Sequence, residues 1–194
     1  MNGRSLVVCT IVGTLVLFVW QLLSNTLIPW HAATYHPFAV DTTAAVVRAF
    51  RVQAPTNGVY ANPHGMVVMM SATPDYLDQT TLMGKMLGRQ AAIDLFAAAI
   101  LCLLAARVRE QQPVAVAAVA AFGALATSVV GELGNWNWYG FGIPWALVNI
   151  VDVTVSFFLA GLAIAWLARR MTGGAIAGAV GGEYRPARES VRTG

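Results

Sequence analysis

The run IPWALVNIVDVTVSFFLAGLAIAWLA, residues 143–168, carries one charge, Asp152, in 26 positions. A membrane span needs about 20 predominantly apolar residues to cross a hydrocarbon core of about 30 Å. The run therefore reads as a transmembrane helix with an acid inside it. Residues 6–28 and 114–131 repeat the pattern. A further segment, 85–106, is strongly apolar only from residue 91 and contains Asp94, so it must borrow residues from upstream. Thr73-Pro74-Asp75 reads as its start, a threonine cap followed by proline at the first helical position. Lys85 and Arg89 then snorkel at the interface.

Composition agrees with this pattern. Of 194 residues, 57% are hydrophobic and only 11% are charged, against about 25% charged in soluble domains. Such a chain cannot cover itself with polar surface, which excludes a free soluble monomer, and it is too apolar for disorder. The formal charge of +3 is spread along the sequence, so nucleic-acid binding has no support. Cys9 and Cys102 both lie in apolar runs without CxxC spacing, which argues against a disulfide framework. The first run is longer than a signal-peptide core and no A-x-A site follows it, so it reads as a retained helix.

Arg4, Arg107, Arg109, Arg169, Arg170, Arg185, Arg188 and Arg192 fall on one side of these helices, with Arg48, Arg51, Lys85 and Arg89 on the other. The positive-inside rule then puts both termini in the cytoplasm. The expected architecture is an all-α bundle of four transmembrane helices with a small mixed cap facing outward, formed by the loop at 29–84. A single domain covers 1–170, and the arginine-bearing segment 171–194 reads as a disordered cytoplasmic tail. The location expected is a cell membrane, most simply a bacterial inner membrane.

Within the loop, Asp41 can cap a short surface helix through Arg51, and Val59-Tyr60 can pair with Met66 to Met70 as a hairpin around Asn62-Pro63-His64-Gly65. His64, Met66, Met69 and Met70 form a candidate copper set, because thioether and imidazole suit Cu(I). The reading favoured over it is an apolar strand in which methionine fills gaps, with no metal and no cofactor.

Asn135-Trp136-Asn137-Trp138-Tyr139-Gly140-Phe141-Gly142 reads as an aromatic loop between helices three and four. It is either an interfacial belt or the wall of an outer-leaflet pocket. Asp94, Glu132 and Asp152 are intramembrane or interfacial acids, and Trp145, Asn149, Asp152 and Ser156 share one helix face by their spacing. With no lysine or arginine in the middle of the bundle, Asp152 is expected to be protonated, to bind a cation, or to bond Asn149 and Gln21. Ala117, Ala120, Ala121 and Ala124 give helix three a close-packing face.

No histidine falls within an expected helix, which disfavours a bis-histidine haem protein. No G-x-S-x-G or phosphate-loop string is present. The favoured function is a non-enzymatic binding or accessory protein with an outer-leaflet pocket for a lipid, a quinone-like molecule or a partner helix from another membrane protein. The alternative is a small proton- or cation-coupled transporter, working as a homodimer through Asp94, Glu132 and Asp152.

The strings Asn57-Gly58-Val59-Tyr60, Pro63-His64-Gly65-Met66, Asn135 to Phe141, Asn149 to Asp152 and Phe158-Leu159-Ala160-Gly161 resemble a set of uncharacterised bacterial four-helix membrane proteins. The likeness covers residues 55–168 in pieces. It implies the four-helix topology and attaches no activity.

Overall fold

A chain segment in lipid must satisfy its own backbone groups, and the apolar runs do so as helices. The computed structural model describes residues 3–34, 48, 52, 58–61, 67–70, 79–108 and 112–180. Among these, four helices are long and apolar enough to cross a membrane: α1 (Gly3–Thr26), α2 (Gln79–Arg107), α3 (Pro113–Tyr139) and α4 (Ile143–Val180). The chain is thus a multi-pass membrane protein built as an all-α four-helix bundle. The expected hairpin is present as β1 (Gly58–Ala61) antiparallel to β2 (Val67–Met70), with Tyr60 opposite Val68. The surface helix expected at 41–51, apart from Arg48, lies outside the described residues, as do His64 and Met66.

The helix ends differ from the sequence reading in instructive ways. Helix three was expected to stop at residue 131, yet it continues through the Asn-Trp string to Tyr139. Gly140 supplies the stop instead. It adopts φ 73°, the left-handed conformation glycine takes without penalty, and its amide donates to the Trp136 carbonyl at 3.2 Å. Phe141 N–H reaches the Asn135 carbonyl at 3.5 Å. The turn to α4 therefore needs only Gly140, Phe141 and Gly142. At the other end of α3, Pro113 occupies the first turn, where its missing N–H costs nothing. Helix four also runs past residue 168 to Val180, into the segment read as tail.

The helices are not packed as a closed square. In α4, 39% of the apolar window is buried, against 17–22% in the other three, so α4 is the central element. It packs along α3 on one side and α1 on the other, while α2 packs mainly on α1. The core shared by α1, α2 and α4 contains Cys9, Leu17, Ala98, Leu101, Cys102, Ala160 and Ile164.

Close approach between backbones depends on two glycines. A Cβ at Gly13 would stand 2.8 Å from Ile164 Cδ1 and 3.1 Å from Ala98 Cβ. One at Gly161 would stand 3.1 Å from both Ala117 Cα and Ala120 Cβ. The alanine face of α3 thus packs on α4, where dispersion contacts rather than water exclusion hold membrane helices together. Replacing Gly161 by valine is expected to cost about 1–3 kcal/mol by overpacking. Gly131→Val, into open space, is the control; thermal unfolding in detergent should show a lower midpoint for Gly161→Val alone.

Candidate functional site: a buried imidazole–carboxylate centre

Ser5, Cys9, Gly13 and Leu17 recur every four residues as the buried face of α1, which then continues to Ser24. Trp20 lies between these last two, three residues past Leu17, so its indole is carried toward α4. After Thr26 the chain reverses through Pro29. Ala33 N–H bonds the Pro29 carbonyl at 2.9 Å, and a 3-10 turn at Ala32–Thr34 follows. The reversal is fixed by the Thr34 hydroxyl on the His31 carbonyl at 2.7 Å and by Trp30 Nε1–H on Ser24 Oγ at 3.0 Å.

This fold-back delivers His31 to Asp152. Trp20 Nε1–H donates to Asp152 Oδ1 at 2.6 Å, and His31 Nε2 lies 3.1 Å from Asp152 Oδ2. A carboxylate accepts both bonds when the imidazole is protonated at Nε2. Ser24 Oγ is 3.4 Å from the same nitrogen. The imidazole is flanked edge-on by two indoles, with ring centroids 5.9 Å from Trp30 and 6.2 Å from Trp145. His31, Asp152 and Ser24 are all buried.

The sequence reading expected Asp152 to be protonated, to hold a cation, or to bond Asn149 and Gln21, with no lysine or arginine in the middle of the bundle. The structure differs in the bonding partners. His31, placed in the outward loop by its sequence position, is the partner. Asn149 instead donates to the Trp145 carbonyl of its own helix at 3.1 Å, and Gln21 turns to the other buried acid.

That acid, Asp94 on α2, accepts two amide N–H bonds at Oδ1, from Gln21 at 3.1 Å and from Gln90 at 2.9 Å. Gln90 and Asp94 stand four residues apart on one helix face. Trp20 and Gln21 are adjacent in sequence, so one turn of α1 serves both carboxylates. An aspartate at the centre of a span costs about 2.5–3.5 kcal/mol on the insertion scale, and these donors offset it. Among the described residues, three buried polar atoms keep no partner: His31 Nδ1, Asp94 Oδ2 and Glu132 Oε2.

The remaining candidates are not gathered at this centre. Glu132, Asn135, Trp136, Asn137 and Trp138 occupy the last turns of α3. Trp136, Trp138 and Tyr139 are 46%, 76% and 49% exposed, so they face outward at the helix end as an interfacial belt does. The string belongs to a helix rather than a loop, because helical backbone bonds continue until Gly140 allows the reversal. Of the candidate copper set, Met69 and Met70 lie in β2. Among the described residues no group of three His, Cys, Asp or Glu side chains could hold a metal ion.

The partners missing from the sequence reading are Trp20, Ser24, Trp30, His31 and Gln90. Trp20 stands three residues past Leu17 and Ser24 four past Trp20, so helical spacing could have placed both on the face of Leu17. Nothing in the spacing of His31 and Asp152, 121 residues apart, pairs them.

Removing one member of a buried hydrogen-bonded pair leaves the other unsatisfied, which typically costs about 1–3 kcal/mol and more for a charged group. Asp152→Ala and His31→Ala should each destabilise the detergent-solubilised protein. The double variant should lose less than the sum, with a coupling of about 0.5–3 kcal/mol; additive losses in unfolding measurements would show that the pair contributes nothing as a pair. Comparison of the chain with protein-family models, curated proteins and solved structures finds no match.

Proposed function

We propose that this protein is a non-enzymatic binding or accessory component of the membrane, which holds an apolar guest between its helices. One observation carries the reading. Helices α2 and α3 face each other across a groove of about 270 Å³ backed by α4. Small residues give the groove its depth: Ala105 on α2, Ala120, Gly123 and Ala124 on α3, and Gly161 on α4. Leu101, Leu104, Val119 and Phe157 supply apolar walls. Ligand sites are typically concave and mostly apolar.

The guest site is thereby moved from the outer-leaflet pocket expected beneath the aromatic string. The groove lies toward the α2–α3 turn, at the opposite end from His31 and Trp138. The buried imidazole–carboxylate centre then acts as a fixed clamp, joining the segment after α1 to α4 while α2 and α3 stay apart.

Gly123 permits a direct test, since an added Cβ there meets nothing within 4 Å. Gly123→Leu should fill the groove without displacing the helices. Native mass spectrometry of the detergent-extracted protein should find lipid or quinone-like molecules on the parent chain, reduced at least severalfold in Gly123→Leu at unchanged thermal stability. Equal retention by both proteins would overturn the reading.

A second reading, proton- or cation-coupled transport, draws on the partnerless buried oxygens of Asp94 and Glu132. Intramembrane carboxylates commonly serve proton relays. It expects pH-dependent flux in liposomes that disappears in Asp152→Asn, and flux absent at every pH removes it. Both readings take the protein to sit in a bacterial inner membrane with cytoplasmic termini, which the distribution of its arginines supports. A reporter fused after Arg170 that shows periplasmic activity would overturn that orientation.

A further inference from the structure

The groove occupies only half of the bundle's depth. Its rim begins at Val108, just past the end of α2, and at Val116 in the first turn of α3; it closes at Ile100 and Thr127. Those spans are about 12–17 Å at 1.5 Å per residue, close to half of a hydrocarbon core of about 30 Å. A transmembrane partner helix would need a seat through the full thickness. A half-depth groove matches a hydrocarbon chain belonging to one leaflet.

The lining offers nothing to a polar headgroup. Thr127 is the polar side chain among the residues lining it, and its hydroxyl already donates to the Gly123 and Ala124 carbonyls, each at 3.0 Å. The headgroup of any amphiphile must therefore sit outside the groove, beyond its rim at Val108 and Val116. In the sequence this end of the bundle is mainly basic, Arg107 and Arg109 outnumbering the one acid of the α2–α3 link, Glu110. Among the described residues, the charged side chains there are Arg4, Arg107, Arg169 and Arg170. Arg107 is exposed and directly precedes Val108 at the rim. Arg170 stacks on the Trp166 ring at 3.8 Å, anchoring α4 at the same interface. A guanidinium suits phosphate oxygens because its planar fork can donate two parallel bonds.

We propose that the groove holds an acyl chain of an anionic phospholipid from the leaflet at the arginine end, with Arg107 at its phosphate. This deepens the binding function proposed above and rests on it. The groove itself accepts a chain from any lipid, while the arginines supply the preference for a headgroup with net negative charge.

The test uses the full chain reconstituted in nanodiscs of equal phosphatidylcholine and phosphatidylglycerol, with retained lipids counted by headgroup after release. The parent protein should retain phosphatidylglycerol about fivefold over phosphatidylcholine, the ratio expected for one arginine near an anionic headgroup. Arg107→Gln should bring the two toward equality without lowering the total, and Arg107→Lys should keep the enrichment. Gly123→Leu should lower both lipids together. If the parent retains the two headgroups equally but Gly123→Leu still lowers the total, the headgroup inference fails and the binding function stands. An enrichment that survives Arg107→Gln removes Arg107 from the site. A total unaffected by Gly123→Leu removes the binding function and this inference with it.

Discussion

A carboxylate buried among apolar helices has to be matched by donors, and Asp152 sets the arrangement around it. Its two oxygens take the Trp20 indole N–H and the His31 imidazole. The first fixes the rotation of α1 against α4, since Trp20 can reach only from the face that also buries Leu17 and Ser24. The second fixes the chain after α1, which must reverse at Pro29 to bring the imidazole in. Asp94 repeats the requirement one residue further along α1, through Gln21, and ties α2 to the same turn. Polar matching at one end and glycine-mediated contact at Gly13 and Gly161 together define which helices touch.

Much of this was legible in the sequence. The four spans follow from apolar length, and the hairpin from its turn residues and flanking β-branched and aromatic positions. The alanine face of α3 was read from spacing and is the face that meets Gly161. Helix ends were less legible, because Asn and Trp are compatible with a helix's last turns as well as with a loop. Only the left-handed glycine at 140 marks the stop. Asp94 and Asp152 stood out as exceptions to composition, and both are buried in the structure.

The donors to Asp152 were not legible, for a physical reason. Periodicity relates residues within one helix, whereas the contact of His31 with Asp152 joins a post-helix turn to a helix 121 residues away. Counting lysine and arginine could not reveal the partner either, since imidazole is neutral in such counts. The guest site illustrates the same limit. Aromatic richness drew attention to residues 135–145, but concavity arises where small side chains from separate helices face one another, as at Ala105, Gly123 and Gly161.

The three-residue link at Gly140 has a consequence for how the chain is assembled. Helices α3 and α4 are joined so tightly that they can enter the bilayer as a helical hairpin, with Ala117 meeting Gly161 across a single short turn. Local pairings of this kind form before distant ones, because little loop entropy opposes them. Helices α1 and α2, by contrast, are separated by more than fifty residues. His31 is synthesised long before Asp152, so the acid has no imidazole to meet until the last helix is in place. Closure of that pair is therefore a late event in biogenesis, and it marks the moment when two separately inserted halves become one protein.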